Sequence, residues 1–161
     1  MQAAVIKATL SRSLRCRGDK RQVPFELDPG FDSNSYQLGR VLAICDATYS
    51  ASIKPRSNES PAMARLSLAC GNPLIALTPL ISLHIHHLSS IPTDKAVAGQ
   101  KKIRVRSTYE ENFRDAMSRI RKIPNGLSLD QQALLLLGFY HQNQFTFRSS
   151  SKSTSDKEQL S

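Results

Sequence analysis

The chain has 161 residues, is 40% apolar and 6% aromatic, and lacks tryptophan, which allows one domain with a modest core. Its 22 Lys and Arg against 13 Asp and Glu leave a formal charge of +9, an excess that points to a polyanionic partner, either nucleic acid or an acidic membrane surface. Cys16, Cys45 and Cys70 form no CxxC pair, which excludes a disulfide framework and a cysteine zinc site. No apolar leader segment precedes the basic residues of the N-terminus, and no run reaches the ~18 apolar residues of a membrane span. A soluble, cytoplasmic protein is expected.

Residues 2–16 place Ala3, Ile6, Leu10 and Leu14 at helical spacing, with Lys7, Arg12 and Arg15 on the wet side, and Gly18 as the stop. The stretch from Gly18 to Asn34 reads as a loop in which Val23–Leu27 could pair briefly as a strand. A helix is predicted from Ser33–Ser35 to about Tyr49, with Leu38, Leu42, Cys45 and Tyr49 inward. Gly39 inside it is costly unless another backbone approaches closely. Arg40 points away from that apolar stripe and is a candidate phosphate contact.

After a polar connection at Ile53–Ser60, Ser60 and Pro61 open a third, shorter helix carrying Met63, Leu66 and Ala69, which Gly71 ends. Asn72-Pro73 restarts the chain toward Leu88. Pro79 predicts a short turn there, followed by a helix opening at Thr78-Pro79.

Pro92–Arg106 crowds Lys95, Lys101, Lys102, Arg104 and Arg106 against the single Asp94 and reads as a mobile basic loop. Ser107 and Glu110 form a capping box for a helix with Tyr109, Phe113, Met117 and Ile120 inward and Arg114, Arg119, Arg121 and Lys122 outside. Ser128 and Gln131 form another. Behind it Ala133, Leu136, Leu137 and Tyr140 share a face that Leu129, Leu134 and Phe139 widen, a stripe broad enough for a helix packed on several neighbours. The serine-rich stretch after Phe147 is polar and predicts a disordered tail over 148–161. The expected fold is all-α: a compact bundle of five to six helices over 1–147, with a disordered basic loop and tail.

Chemistry is sparse. His84 and His87 are three apart and could present two ligands on one helical face, but no HExxH, ExxH pair or neighbouring carboxylate supplies a third. No metal site is expected. Neither GxSxG, GxxxxGK[ST] nor GxGxxG occurs. No catalytic residue and no cofactor are expected, and the protein does not read as an enzyme. What remains is basic: a disordered loop feeding a helix with outward arginines could follow a phosphate backbone without reading bases. The candidate contacts are Lys7, Arg12, Arg40, Lys101, Lys102, Arg104, Arg106, Arg114, Arg121 and Lys122. Few aromatics lie on the predicted wet faces to stack bases.

Three stretches taken together resemble a known family. Asn34-Ser-Tyr-Gln-Leu-Gly-Arg-Val-Leu-Ala43 resembles the N-x-Y-x-L-G-R-L-x-A helix in the C-terminal helical domain of the type I-C CRISPR large subunit. Asn72-Pro73 through His86-His87-Leu88 resembles the segment of that domain ending in Q-H-H-L. Leu127-Ser-Leu-Asp-Gln-Gln132 with Leu137-Gly-Phe-Tyr-His-Gln142 resembles its closing L-S-L-E-D-Q and L-G-Y-Y-H-Q. The likeness covers Met1–Phe147 and leaves Ile53–Ser60, the basic loop and the tail unmatched.

In that family the domain is also made as a free polypeptide by internal translation, and Met1 stands just upstream of the domain, so the chain looks like that small subunit. The resemblance implies a non-catalytic bundle in the crRNA-guided Cascade complex. It would support the backbone of crRNA and target and hold the displaced non-target DNA strand, in antiviral defence. Its implied partners are the CRISPR backbone and large subunits and a second copy of itself. Base pairing reads the sequence in such complexes while protein charge holds the R-loop open. Two other readings stand beside it. One is a helical adaptor that docks on a protein without binding nucleic acid. The other is a membrane-surface protein using residues 2–16, a segment short of the bulky apolar residues that insertion needs.

Overall fold

The computed structural model describes residue 24 and residues 26–53, 61–91 and 105–155. Among them lie six helices and no strand: α1 (Asn34–Ser52), α2 (Pro61–Ala64), α3 (Leu66–Gly71), α4 (Pro73–Ser90), α5 (Val105–Ser118) and α6 (Leu129–Ser155). The fold is all-helical, as expected. The helix predicted over residues 2–16, the connection at 54–60 and the basic loop through Arg104 fall outside the described residues.

Everything is arranged around α1, which packs most extensively on α6 and also meets α2, α4 and α5. Ser33, in extended backbone, starts it by accepting the Tyr36 N–H on its hydroxyl at 3.4 Å. Ile53 ends it by returning to extended backbone after a last N–H bond to the Tyr49 carbonyl. Every residue between Ser35 and Cys45 is buried, so α1 is a core helix on all sides. Leu38, Val41, Leu42, Ile44 and Cys45 share one apolar cluster with Ala69, Ala76, Leu77, Leu80, Ala116, Leu135 and Phe139.

The closeness of α1 and α6 has a single steric cause. A Cβ on Gly39 would overlap the Leu135 carbonyl oxygen and lie 2.8 Å from Phe139 N. A Cβ on Gly138 would overlap the Tyr36 carbonyl oxygen. The two glycines sit reciprocally at one crossing, where backbone touches backbone and no side chain fits. Gly39 therefore does what its position in the sequence suggests, and Gly138 is the partner that the sequence alone did not reveal.

The Ser128–Gln131 capping box forms in both directions: Gln131 N–H donates to Ser128 Oγ at 3.4 Å, and Ser128 N–H to Gln131 Oε1 at 2.9 Å. Leu129, expected to widen the apolar stripe, is 80% exposed. It lies at the helix start, before the turn at which α6 reaches α1, and Leu135 takes the core position instead.

Four further boundaries differ from expectation. Pro79 does not break the chain into turn and helix; it sits inside the continuous α4. It is exposed, so water can take the carbonyl its ring leaves unpaired, while Asn72 caps the helix start by accepting the Ile75 N–H at 3.2 Å. The single helix predicted from Pro61 is two, because Arg65 leaves helical geometry at φ −100°, ψ 1°. The α5 helix begins at Val105, which puts Ser107 inside the first turn rather than at the cap and moves Arg106 from the loop onto the helix. Finally, α6 continues past Phe147 to Ser155 where a disordered tail was expected. No Gly or Pro interrupts that stretch, and extending a formed helix costs far less than starting one.

Candidate nucleic-acid interface and the network beneath it

Arg40 does not face solvent. Four residues on from Tyr36, it is carried into the seam between α1, α6 and α5, and it is 1% exposed. Its Nε donates to Gln142 Oε1 at 3.1 Å, and one terminal nitrogen donates to Gln37 Oε1 (2.7 Å), Asp115 Oδ2 (3.0 Å) and the Pro29 carbonyl (3.4 Å). At 1% exposure the guanidinium is closed off from a phosphate at the surface, so the expectation of Arg40 as an exposed contact is corrected. The apolar stripe of α1 was drawn too narrow, and a buried arginine looks like a surface one until its acceptors are found.

Gln37 completes the seam by donating to the carbonyls of Pro29 (3.0 Å) and Phe31 (2.9 Å). Above it the Tyr36 hydroxyl accepts from Asp28 N–H at 3.2 Å and lies 3.0 Å from His141 Nδ1. Burial pushes the Tyr36 pKa up, so it remains a neutral hydroxyl at this contact. Tyr36, Gly39 and Arg40 thus meet a set that includes Gly138, His141 and Gln142. The two most distinctive motifs of the sequence are the two sides of one internal interface.

The exposed cations sit along α5 and the turn that follows. Arg114 is paired with Glu110 at 3.1 Å and Arg119 with Asp115 at 3.0 Å, both one helical turn apart. Burial alone would raise Asp115, but hydrogen bonds from Arg119 and Arg40 outweigh it and hold the carboxyl below its usual range. Arg121 reaches Asp32 at 3.3 Å with both side chains largely in solvent. Asn34 fixes the turn: its Oδ1 accepts from Arg121 N–H at 3.0 Å and its Nδ2 donates to the Lys122 carbonyl at 2.7 Å. Arg121 and Lys122 are therefore presented side by side at the start of α1. Asn34 is the positioning residue that sequence reasoning missed.

Of the other predicted contacts, Arg106 is half-buried in the first turn of α5, and Lys7, Arg12, Lys101, Lys102 and Arg104 lie outside the described residues. Charge is divided unevenly along the chain. Residues 1–23 carry six Lys and Arg against one Asp, and residues 92–104 four against one. From Arg106 to Lys122 there are five cations and three acids, and most of those charges are paired. The excess positive charge thus belongs to two segments of the sequence, 1–23 and 92–104, and the remainder is nearly neutral.

His84, His87 and His141 are buried, while His86 is exposed. His84 is 2% exposed and stacks on Phe113, with ring centroids 4.0 Å apart. Neither ring nitrogen has a hydrogen-bond partner among the described residues. Burial, and then the neighbouring His87, push its pKa down to about 4. His87 lies 2.8 Å through Nδ1 from Ser52 Oγ and meets Tyr49 edge to face. Among the described residues no three His, Cys, Asp or Glu side chains converge as a metal-binding group, and no helix is long and apolar enough to cross a membrane.

Comparison with known proteins gives one result. The family model described as CRISPR-associated protein (Cas_Csd1) matches residues 1–147. No curated protein matches the chain.

Proposed function

The chain belongs to the CRISPR-associated Csd1 family and is a protein of the Cascade assembly; from that premise we propose that it is the non-catalytic small-subunit module of a type I-C, crRNA-guided surveillance complex. In this role it supports the backbone of crRNA and target and holds the displaced DNA strand through phosphate contacts, in antiviral defence. Its partners are the nucleic acids and the backbone and large subunits of the complex.

The observation that carries this reading is the division of charge. Two strongly basic segments, 1–23 and 92–104, stand against a nearly neutral remainder of the sequence. Arg106 marks the start of α5 at the second segment, and Arg121 and Lys122 stand at the far end of that helix. Such an arrangement binds a phosphate backbone wherever it runs and leaves sequence reading to base pairing.

The test is single-stranded DNA binding by fluorescence anisotropy over a salt series, with a variant neutralised at Lys101, Lys102, Arg104 and Arg106. With three or four phosphates engaged, log affinity falls against log salt with a slope of about −2 to −3, shallower in the variant. Absent binding, or binding indifferent to salt, overturns the reading in favour of a protein adaptor that touches no nucleic acid.

A further inference from the structure

Ile120 and Ile123 both pack against the core cluster, so Arg121 and Lys122 between them form an exposed crest anchored on either side. Asn34 grips that crest from across the fold, accepting the Arg121 N–H at 3.0 Å and donating to the Lys122 carbonyl at 2.7 Å. Cations that served only solubility would need no such fixing, since side chains on a free loop solubilise equally well. A backbone held in place before binding removes part of the ordering entropy that a ligand must otherwise overcome.

An anion already stands at the crest. Asp32, just ahead of the Ser33 cap, brings Oδ1 to 3.3 Å from one terminal nitrogen of Arg121, and the two side chains are 87% and 83% exposed. The contact is single and long beside the ~2.7–2.9 Å of a tight charge-assisted bond, and an ion pair this exposed is weak and readily exchanged. Asp115 differs: it bridges the buried Arg40 and Arg119, each at 3.0 Å. No carboxylate among the described residues pairs with Lys122. A phosphate at the place of Asp32 could take two guanidinium N–H donors at once, and the Lys122 charge next along the crest adds to its attraction.

We propose that the Arg121–Lys122 crest, positioned by Asn34, is a phosphate site for single-stranded nucleic acid in which the Asp32 carboxylate stands in for the phosphate until a strand displaces it. This rests on the reading that the protein holds a nucleic-acid backbone. Its consequence is selectivity: a small free anion gains little by displacing Asp32, whereas a strand already held by the basic segments competes at high local concentration.

The test is anisotropy with a single-stranded DNA oligonucleotide on the full chain, comparing wild type, Asp32→Asn, Arg121→Gln and the double variant. Glu111→Gln, at another exposed acid, controls for the change in net charge. Asp32→Asn is expected to tighten binding about two- to fivefold at fixed salt. It should also steepen the slope of log affinity against log salt by about 0.7, the increment of one further phosphate. The gain vanishes when Arg121 is replaced, and Glu111→Gln gives less than half of it. Adding Asn34→Ala to Asp32→Asn, with both cations in place, removes at least half of the gain; a gain kept in full overturns the positioning role of Asn34. Where wild type binds in a salt-dependent way, unchanged affinity in Asp32→Asn overturns the proposal and leaves the functional reading standing. So does a gain that survives Arg121→Gln or is matched by Glu111→Gln. A lower thermal midpoint for Asp32→Asn without tighter binding assigns Asp32 to the dipole of α1 alone and likewise overturns the site. A wild-type chain that binds no DNA overturns the functional reading and the site with it.

Discussion

Arg40 and His84 are both polar side chains sunk in the core, and they respond to opposite perturbations. Arg40→Met removes the donor shared by Gln142, Gln37, Asp115 and the Pro29 carbonyl, and strands acceptors that water reaches poorly. A loss of about 3 kcal/mol in urea unfolding is expected, with DNA affinity of the remaining folded protein unchanged. Arg40→Lys recovers little, because one ammonium cannot serve acceptors spread around a planar fork.

His84 is buried neutral with its pKa pushed down to about 4, against an ordinary value near 6.5 in the unfolded chain. The unfolded state therefore binds the proton first as the solution is acidified. Stability is full above pH 6.5 and declines as pH falls toward 4, by about 2 kcal/mol between pH 7.5 and pH 5. His84→Phe, which keeps the stack on Phe113, should flatten that decline in paired urea titrations. Neither residue disclosed its burial in the sequence, because burial of a polar group depends on partners supplied by other helices.

At the scale of elements, what was legible was local. The start of α1 near Ser33, the Ser128–Gln131 box, the order of helices and the close approach at Gly39 all follow from a few neighbouring residues. Where expectation failed, the deciding contact was distant or the penalty was paid in solvent. Pro79 was read by its intrinsic cost, which exposure on the wet face of α4 softens; the same cost predicts that Pro79→Ala raises the thermal midpoint, by about 1–3 kcal/mol of added stability. Gly138 reads as a tolerated helix glycine until Tyr36 is found against it. Gly39→Ala and Gly138→Ala should each cost about 2–4 kcal/mol, because the methyl meets a main-chain carbonyl that cannot turn aside. The double variant should cost less than the sum of the two, since either methyl alone already forces the helices apart.

Across the whole molecule, composition announced a polyanion partner, but formal charge alone does not distinguish engaged cations from free ones. Arg114, Arg119 and Arg121 counted toward the basic surface in the sequence, yet each has an acid within 3.3 Å. The Glu110–Arg114 and Asp115–Arg119 spacings could have disclosed two of those pairs. The third could not be seen, because Asp32 lies 89 residues from Arg121. Neutralising these three arginines should therefore flatten the salt dependence of DNA binding less than neutralising Lys101, Lys102 and Arg104. Anisotropy titrations of the two triple variants in parallel make that comparison.

The seam between α1 and α6 also fixes when the protein can become itself. Arg40 and Gln142 are 102 positions apart, and at ordinary ribosomal speed the second follows the first by roughly 5–20 s. For that interval the most buried helix of the molecule exists without the surface that buries it, and Arg40 has not yet met the Gln142 side-chain carbonyl that its Nε is built to reach. Helix formation takes microseconds and cannot be what the chain waits for. The native centre closes only when its last long helix is delivered, and a nascent chain stalled before Gly138 carries an open core.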